Sequence, residues 1–274
     1  MNLRTGFLAF VISLVIAPVS TVPQELAVAT FPRIALPDVG PPASSDCRST
    51  RVAGDRFLNP LRIVRQAANS KHHVKVLAIG SSSTVGVGAS SPSATYVARL
   101  EPILEGTLKG TDFDVVGRGM SGEVAQGAAD RMKKEVEDTR PDLVVWQVGT
   151  NDALRHVSID SFKNCIKKTL AWLADNKIDV VLINPQYGDA LTKDKHYAEV
   201  VNAVSEVARE SGVLVVDRFE AMRELQKERG DNFYLSADNL HMNDAGHRCM
   251  AEQLTRAIVG GVIQADADQE HTVF

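Results

Sequence analysis

Aromatic residues make up only 5% of this 274-residue chain, cysteine occurs three times, and no Lys/Arg-rich run with interleaved aromatics is present. Thirty basic residues against thirty-four acidic ones leave a formal charge of −4. A protein that grips phosphate backbones needs the opposite balance, so nucleic acid is excluded as the expected partner. Cys47, Cys165 and Cys249 lie far apart and no His-Glu-x-x-His pattern occurs, so the spacing that gathers ligands on a metal is missing. His72 and His73 follow Lys71 and read as a solvated turn ahead of a strand. No internal repeat is present. What remains, 44% hydrophobic and 23% charged residues, is the composition of an ordinary globular protein with one sizeable core, which excludes general disorder.

The first twenty residues, MNLRTGFLAFVISLVIAPVS, place a positive charge at Arg4 ahead of an apolar stretch from Phe7 to Ala17. That stretch is short for a bilayer span and suits the apolar region of a secretory signal. Residues 1–29 are therefore expected to be a signal peptide cut between Ser20 and Thr30, with Ala27 to Ala29 as one small-residue site; an uncleaved anchor is the alternative. Export to the periplasm or the exterior follows, with no stable membrane insertion after the signal is removed. No cysteine directly follows the apolar stretch to carry a lipid. Residues 30–56, which include PDVGPPASSDCRST, read as an extended arm because their Pro and Ser content sustains no periodic pattern. The folded domain is expected over 57–263 and a tail over 264–274. An odd cysteine count in an exported chain allows one disulfide and one buried thiol, and a Cys47–Cys249 bond would tie the arm to the last helix.

Five short β-branched runs, at residues 74–80, 113–119, 142–149, 178–185 and 212–217, are apolar almost throughout, as strands are when both faces of a parallel sheet are covered. Helical patterns fall at 94–105, 123–138, 158–176, 193–211, 218–229 and 243–259. Strand alternating with helix predicts an α/β protein with right-handed crossovers and a three-layer α/β/α sandwich. Ligands of such sheets gather at the carboxyl ends of the strands.

The residues found there are chemically suggestive. Gly80-Ser81-Ser82-Ser83-Thr84 follows the first strand, Gly117-Arg118-Gly119-Met120-Ser121-Gly122 the second, and Gly149-Thr150-Asn151-Asp152 the third; Asp238 and His241 precede the last helix. A serine hydroxyl becomes a nucleophile when a base takes its proton, and His241 can do so if Asp238 holds its ring. Acyl transfer also builds an oxyanion, for which the amides of Ser82 and Gly119 and the side chain of Asn151 could donate; losing one such donor costs roughly 100- to 1000-fold in turnover. The expected substrate mouth contains Val85, Met120, Ala153, Tyr187 and Met242.

Other readings of the same residues stand beside this one. A Ser/Gly loop after the first strand could cradle a flavin phosphate. A Walker loop fails for want of Gly-Lys-Ser/Thr, and a Gly-x-Ser-x-Gly elbow fails because residue 84 is threonine. Asp238 could be a turn former, Asn151 a helix cap and Gly119 a turn residue. His247, inside the last helical pattern, is the competing base.

Taken in order, the four blocks at 80–84, 117–122, 149–152 and 238–241 resemble the SGNH or GDSL-type hydrolases, serine esterases with a flavodoxin-like five-stranded parallel sheet. The resemblance implies Ser82, Asp238 and His241 as triad and Ser82, Gly119 and Asn151 as oxyanion hole, with no metal and no organic cofactor. It implies a small-molecule or glycan ester as substrate: a broad carboxylesterase first, an O-acetyltransferase or deacetylase of an envelope glycan second, and a silent carbohydrate-binding protein third. Where the family's first block reads Gly-Asp-Ser, this chain has Gly80-Ser81-Ser82.

Overall fold

The computed structural model describes residues 44, 46, 47, 60–230 and 233–271, with side chains to residue 266. They belong to the larger of two units, 33–274; the other unit, 1–32, contains the expected signal peptide and lies outside the described residues, as does most of the expected arm. Among the described residues no helix is long and apolar enough to cross a membrane.

The five apolar runs become β1 (His73–Gly80), β2 (Asp112–Gly119), β3 (Leu143–Gln147), β4 (Asp179–Ile183) and β5 (Leu214–Val216). All pair in parallel, in the order β2-β1-β3-β4-β5. Nine α-helices are described: α1 (Arg62–Lys71), α2 (Ser82–Val85), α3 (Tyr96–Thr107), α4 (Ala125–Thr139), α5 (Thr150–Leu154), α6 (Ile159–Asp175), α7 (Lys195–Ser211), α8 (Arg218–Arg229) and α9 (Asp244–His271).

Side chains alternate across each strand, and both faces are covered. Val76, Ala78, Leu143, Val145, Val181 and Ile183 pack beneath α1, α3 and α9. Leu77, Ile79, Val144, Trp146, Val180 and Leu182 pack beneath α4, α6 and α7. This is the three-layer α/β/α sandwich, and the double burial explains why the strands are apolar without a polar face. The sheet reverses its order between β1 and β3, so a crevice opens at their carboxyl ends.

Helix starts follow local chemistry. Thr95, Ser158, Asp194 and Asp217 accept backbone N–H bonds at the first turns of α3, α6, α7 and α8. The expected ranges 94–105, 123–138 and 193–211 each begin two residues early, since Thr95, Val124 and Asp194 are caps and the helices start one residue after them. α1 was not anticipated. The last helix, expected over 243–259, runs on to His271 and so passes the boundary drawn at residue 263.

A disulfide joins Cys47 to Cys249 in α9. The same segment is held by Arg248, whose Nη2 donates to the Asp46 carboxylate at 2.7 Å, and by Tyr234, whose hydroxyl donates to the Asp46 carbonyl at 2.6 Å. Cys165 is a thiol, half-buried, and burial pushes it up to about 11.

Candidate active site

Ser82 opens α2 directly after β1, and its side chain meets His241 across the crevice. His241 Nε2 lies 3.0 Å from Ser82 Oγ, and His241 Nδ1 lies 2.6 Å from Asp238 Oδ2. An ionised carboxylate can only accept, so Nδ1 carries the ring proton and Nε2 is free to accept the Ser82 hydroxyl proton.

The Asp238 carboxylate is held as an anion. Burial alone would raise it, but the His241 ring, the backbone amides of His241 and Leu240, and the Ser236 hydroxyl all donate to it and hold it well below the usual carboxylate range. The loop itself is pinned by a bridge between Leu235 and Met242 and by Asn243, whose amide donates to the carbonyls of Phe233 and Leu235.

A cleft of about 360 Å³ opens beside Ser82, bounded by Ser121, Gly122, Asn151, Gln186 and His241 among others. Among the described residues, the backbone amides of Ser82 and Gly122 donate no backbone–backbone hydrogen bond. Asn151, which lines the cleft, donates one Nδ2 proton to the Glu123 carbonyl at 2.9 Å and has a second N–H to give. A larger hollow of about 460 Å³ lies at the other end of the sheet, by Ile178, Asp179, Val213 and Leu214, away from this chemistry.

Several expected site residues stand elsewhere. Gly119 does not bound the cleft: a Cβ there would come within 2.3 Å of the Val85 amide nitrogen, so this glycine lets α2 lie against β2. Gly122 occupies the cleft wall in its place. Ala153 and Met242 are buried to 1% exposure in the two cores and cannot form a substrate mouth. Tyr187 packs edge-on against Phe219 and donates its hydroxyl to Asp189. Val85 and Met120 are exposed, at 50% and 54%, but neither lines the cleft.

His247 is not the partner of Ser82. It is fully buried, its Nδ1 accepts the Tyr96 amide at 3.2 Å, and burial pushes it down to about 4, so it stays neutral. Three further residues, all buried, carry no local signal in the sequence: Gln147 in β3 bonds Ser81, Arg218 at the start of α8 bonds Ser83, and Gln186 after β4 lines the cleft.

A parallel sheet of this order, with Ser82 after β1, Asn151 after β3 and an Asp238/His241 pair ahead of the last helix, defines an SGNH/GDSL-type hydrolase. The chain belongs to the non-GDSL lipase-like family, whose model matches residues 47–264. An acetylxylan esterase from Geobacillus stearothermophilus is 26% identical over 179 residues, covering 60% of this chain and 80% of its own. An arylesterase from Vibrio mimicus is 27% identical over 141 residues, covering 48% of this chain and 67% of its own. The solved lipase/acylhydrolase from Enterococcus faecalis, 25% identical, aligns with a TM-score of 0.59 over 68% of this chain and 96% of its own. The protein is an ester-hydrolysing enzyme, not a silent binding module on the same fold.

Proposed function

We propose that this enzyme is an exported serine esterase for short-acyl esters, with Ser82 as nucleophile, His241 as general base and Asp238 as the group that orients the ring. The observation that carries the reading is the unbroken chain from Ser82 Oγ to His241 Nε2 at 3.0 Å and from His241 Nδ1 to Asp238 Oδ2 at 2.6 Å.

In this reading Ser82 Oγ attacks the ester carbonyl while His241 Nε2 takes its proton. The carbonyl oxygen becomes an anion, met by the amides of Ser82 and Gly122 and by Asn151 Nδ2. The oxyanion collapses, His241 returns the proton to the departing alcohol, and an acyl-enzyme remains. Water gives a proton to His241 and attacks the acyl carbon; the bond from that carbon to Ser82 Oγ breaks, His241 returns the proton to Oγ, and the acid leaves. Beyond the ester and water, each step calls on side chains and amides of this chain.

The cleft of about 360 Å³ beside Ser82, lined by Val87 and Leu240 as well as by serines, Gly122, Thr150, Asn151 and Gln186, has room for an acetyl or similarly short acyl group. The Cys47–Cys249 disulfide supports export, since such bonds persist in oxidising compartments. The acetylxylan esterase relative favours an acetylated glycan as the alcohol side. Export itself rests on residues 1–29, outside the described residues.

The test is a chain-length series of p-nitrophenyl acetate, butyrate and octanoate run beside acetylated xylo-oligosaccharide. The account expects kcat/KM to fall from acetate to octanoate and acetate to be released from the glycan. A maximum at octanoate overturns the short-acyl assignment, and acetyl transfer to added sugar exceeding hydrolysis makes the enzyme an O-acetyltransferase.

A further inference from the structure

Arg218 is buried to 1% exposure, and among the described residues it has no carboxylate partner. It stands at the first position of α8, where the helix dipole also disfavours a cation. Burying an unpaired charge is costly, and sequences retain such costs where a site requires them.

Its contacts are specific. Nε donates to the Asn184 carbonyl at 3.0 Å, Nη2 to Gln186 Oε1 at 2.9 Å and Nη1 to Ser83 Oγ at 3.3 Å, with Met242 Sδ at 4.0 Å from Nη1. Gln186, buried to 2%, passes the grip on: its Nε2 donates to the Leu240 carbonyl at 3.0 Å, and its Oε1 also accepts the Thr150 hydroxyl at 2.8 Å. Tyr197 donates its hydroxyl to the Gln186 carbonyl at 2.7 Å, which fixes the backbone there. Asn184 ties α8 to the end of β4 by donating to Asp217 at 2.7 Å and accepting the Phe219 amide at 3.0 Å.

The residues gripped are the neighbours of the reacting groups. Ser83 follows Ser82, Leu240 and Met242 flank His241, and Thr150 precedes Asn151. We propose that Arg218 and Gln186 are positioning residues, a single buried brace that sets the nucleophile, base and oxyanion loops relative to one another.

The chemistry of residue 186 is also explained. A glutamate would satisfy Arg218 but has no N–H for the Leu240 carbonyl, so only the carboxamide serves the cation on one side and the His241 loop on the other. The inference rests on the assignment of Ser82 and His241 above, and its test separates the two.

Wild type, Ser82→Ala, Gln186→Glu, Gln186→Met and Arg218→Lys are titrated with a fluorophosphonate, and kcat, KM and thermal midpoint are measured with p-nitrophenyl acetate. Labelling of wild type but not of Ser82→Ala upholds the nucleophile, independently of the brace. The brace predicts that each position 186 and 218 variant that folds loses about 10- to 100-fold in kcat per titrated site, with KM within about threefold and phosphonylation slowed in step. Gln186→Glu, which keeps volume and the Arg218 contact, decides the matter if Arg218→Lys does not fold. Turnover per titrated site within about threefold of wild type in folded Gln186→Glu, whatever its thermal midpoint, would make the residues merely structural and overturn the proposal.

Discussion

Ser81 donates both its amide and its hydroxyl to one atom, Oε1 of Gln147, at 3.0 Å each. Ser81 occupies the place where GDSL-type blocks carry aspartate, and it is buried to 5% exposure. The turn that presents Ser82 is therefore held by a neutral pair, Ser81 just after β1 and Gln147 in β3, rather than by a carboxylate. Replacing Gln147 with Leu strands two buried donors and is expected to cost about 2–4 kcal/mol, measured by urea unfolding, with a parallel loss of turnover. Unchanged stability would mean the turn is held by something else.

Two substitutions at the expected oxyanion residues should part company. Asn151→Ala removes the cleft donor together with its bond to the Glu123 carbonyl, and is expected to lower kcat roughly 100-fold with a fall in unfolding free energy of only about 1 kcal/mol. Gly119→Ala forces a Cβ against the Val85 amide and should lower the thermal midpoint instead. Equal effects on kcat with no loss of stability in Gly119→Ala would return Gly119 to the oxyanion hole.

Asp152 gives the molecule a pH signature. Its side chain accepts the Ala125 amide at the start of α4, and burial, only partly offset by that bond, pushes it up to about 6. The folded state thus holds the proton more tightly than the unfolded chain, so this contribution to stability is full below about pH 4 and is lost as pH rises through the folded value. Asp152→Asn removes the dependence while keeping an acceptor for Ala125. The unfolding free energy of the variant minus that of wild type should grow by on the order of 2–3 kcal/mol between pH 4 and pH 7. His247, held near 4 by burial, has the opposite sign but is common to both proteins and cancels. A difference that is flat with pH would contradict this account.

The Cys47–Cys249 bond closes a sequence separation of 202 residues. Cross-links of long loops restrict the unfolded chain most, and losing this one through Cys47→Ser with Cys249→Ser should cost about 2–5 kcal/mol. Chemical unfolding with and without reductant checks it: wild type should lose stability on reduction, and the double variant should not respond.

Much of this architecture is legible in the sequence because the strands are buried on both faces and so read as unbroken apolar runs. The range 218–229 is the α8 of the structure. α1 escaped notice because its buried face is only Val64, Ala67 and Ala68, and because its cap is remote: Asp179, at the start of β4, accepts the amides of Ile63 and Val64. α9 continues past residue 259 through Gly260-Gly261, and Gly261 is there for contact, its absent Cβ leaving room for Leu61 and Leu214.

The site was legible where its chemistry sits at strand ends. Ser82, Asn151, Asp238 and His241 stand out by position and residue type, and the chain brings all four to one cleft or its hydrogen-bonded rim. Which glycine between 117 and 122 faces the cleft depends on how the chain leaves β2, and no local pattern encodes that. Ala153 and Met242 turn into the cores for the same reason, since proximity in sequence to Asp152 and His241 does not set which way a side chain points. Arg218 and Gln186 act across the sheet, and only the folded chain brings them to Ser82 and His241.

The central claim is that Ser82 is the nucleophile, and the most direct measurement is p-nitrophenyl acetate hydrolysis by the purified enzyme beside Ser82→Ala. The account predicts a loss of about 10,000-fold or more in kcat with an unchanged thermal midpoint. Turnover by the folded variant at the wild-type rate would contradict it and remove Ser82 from the mechanism.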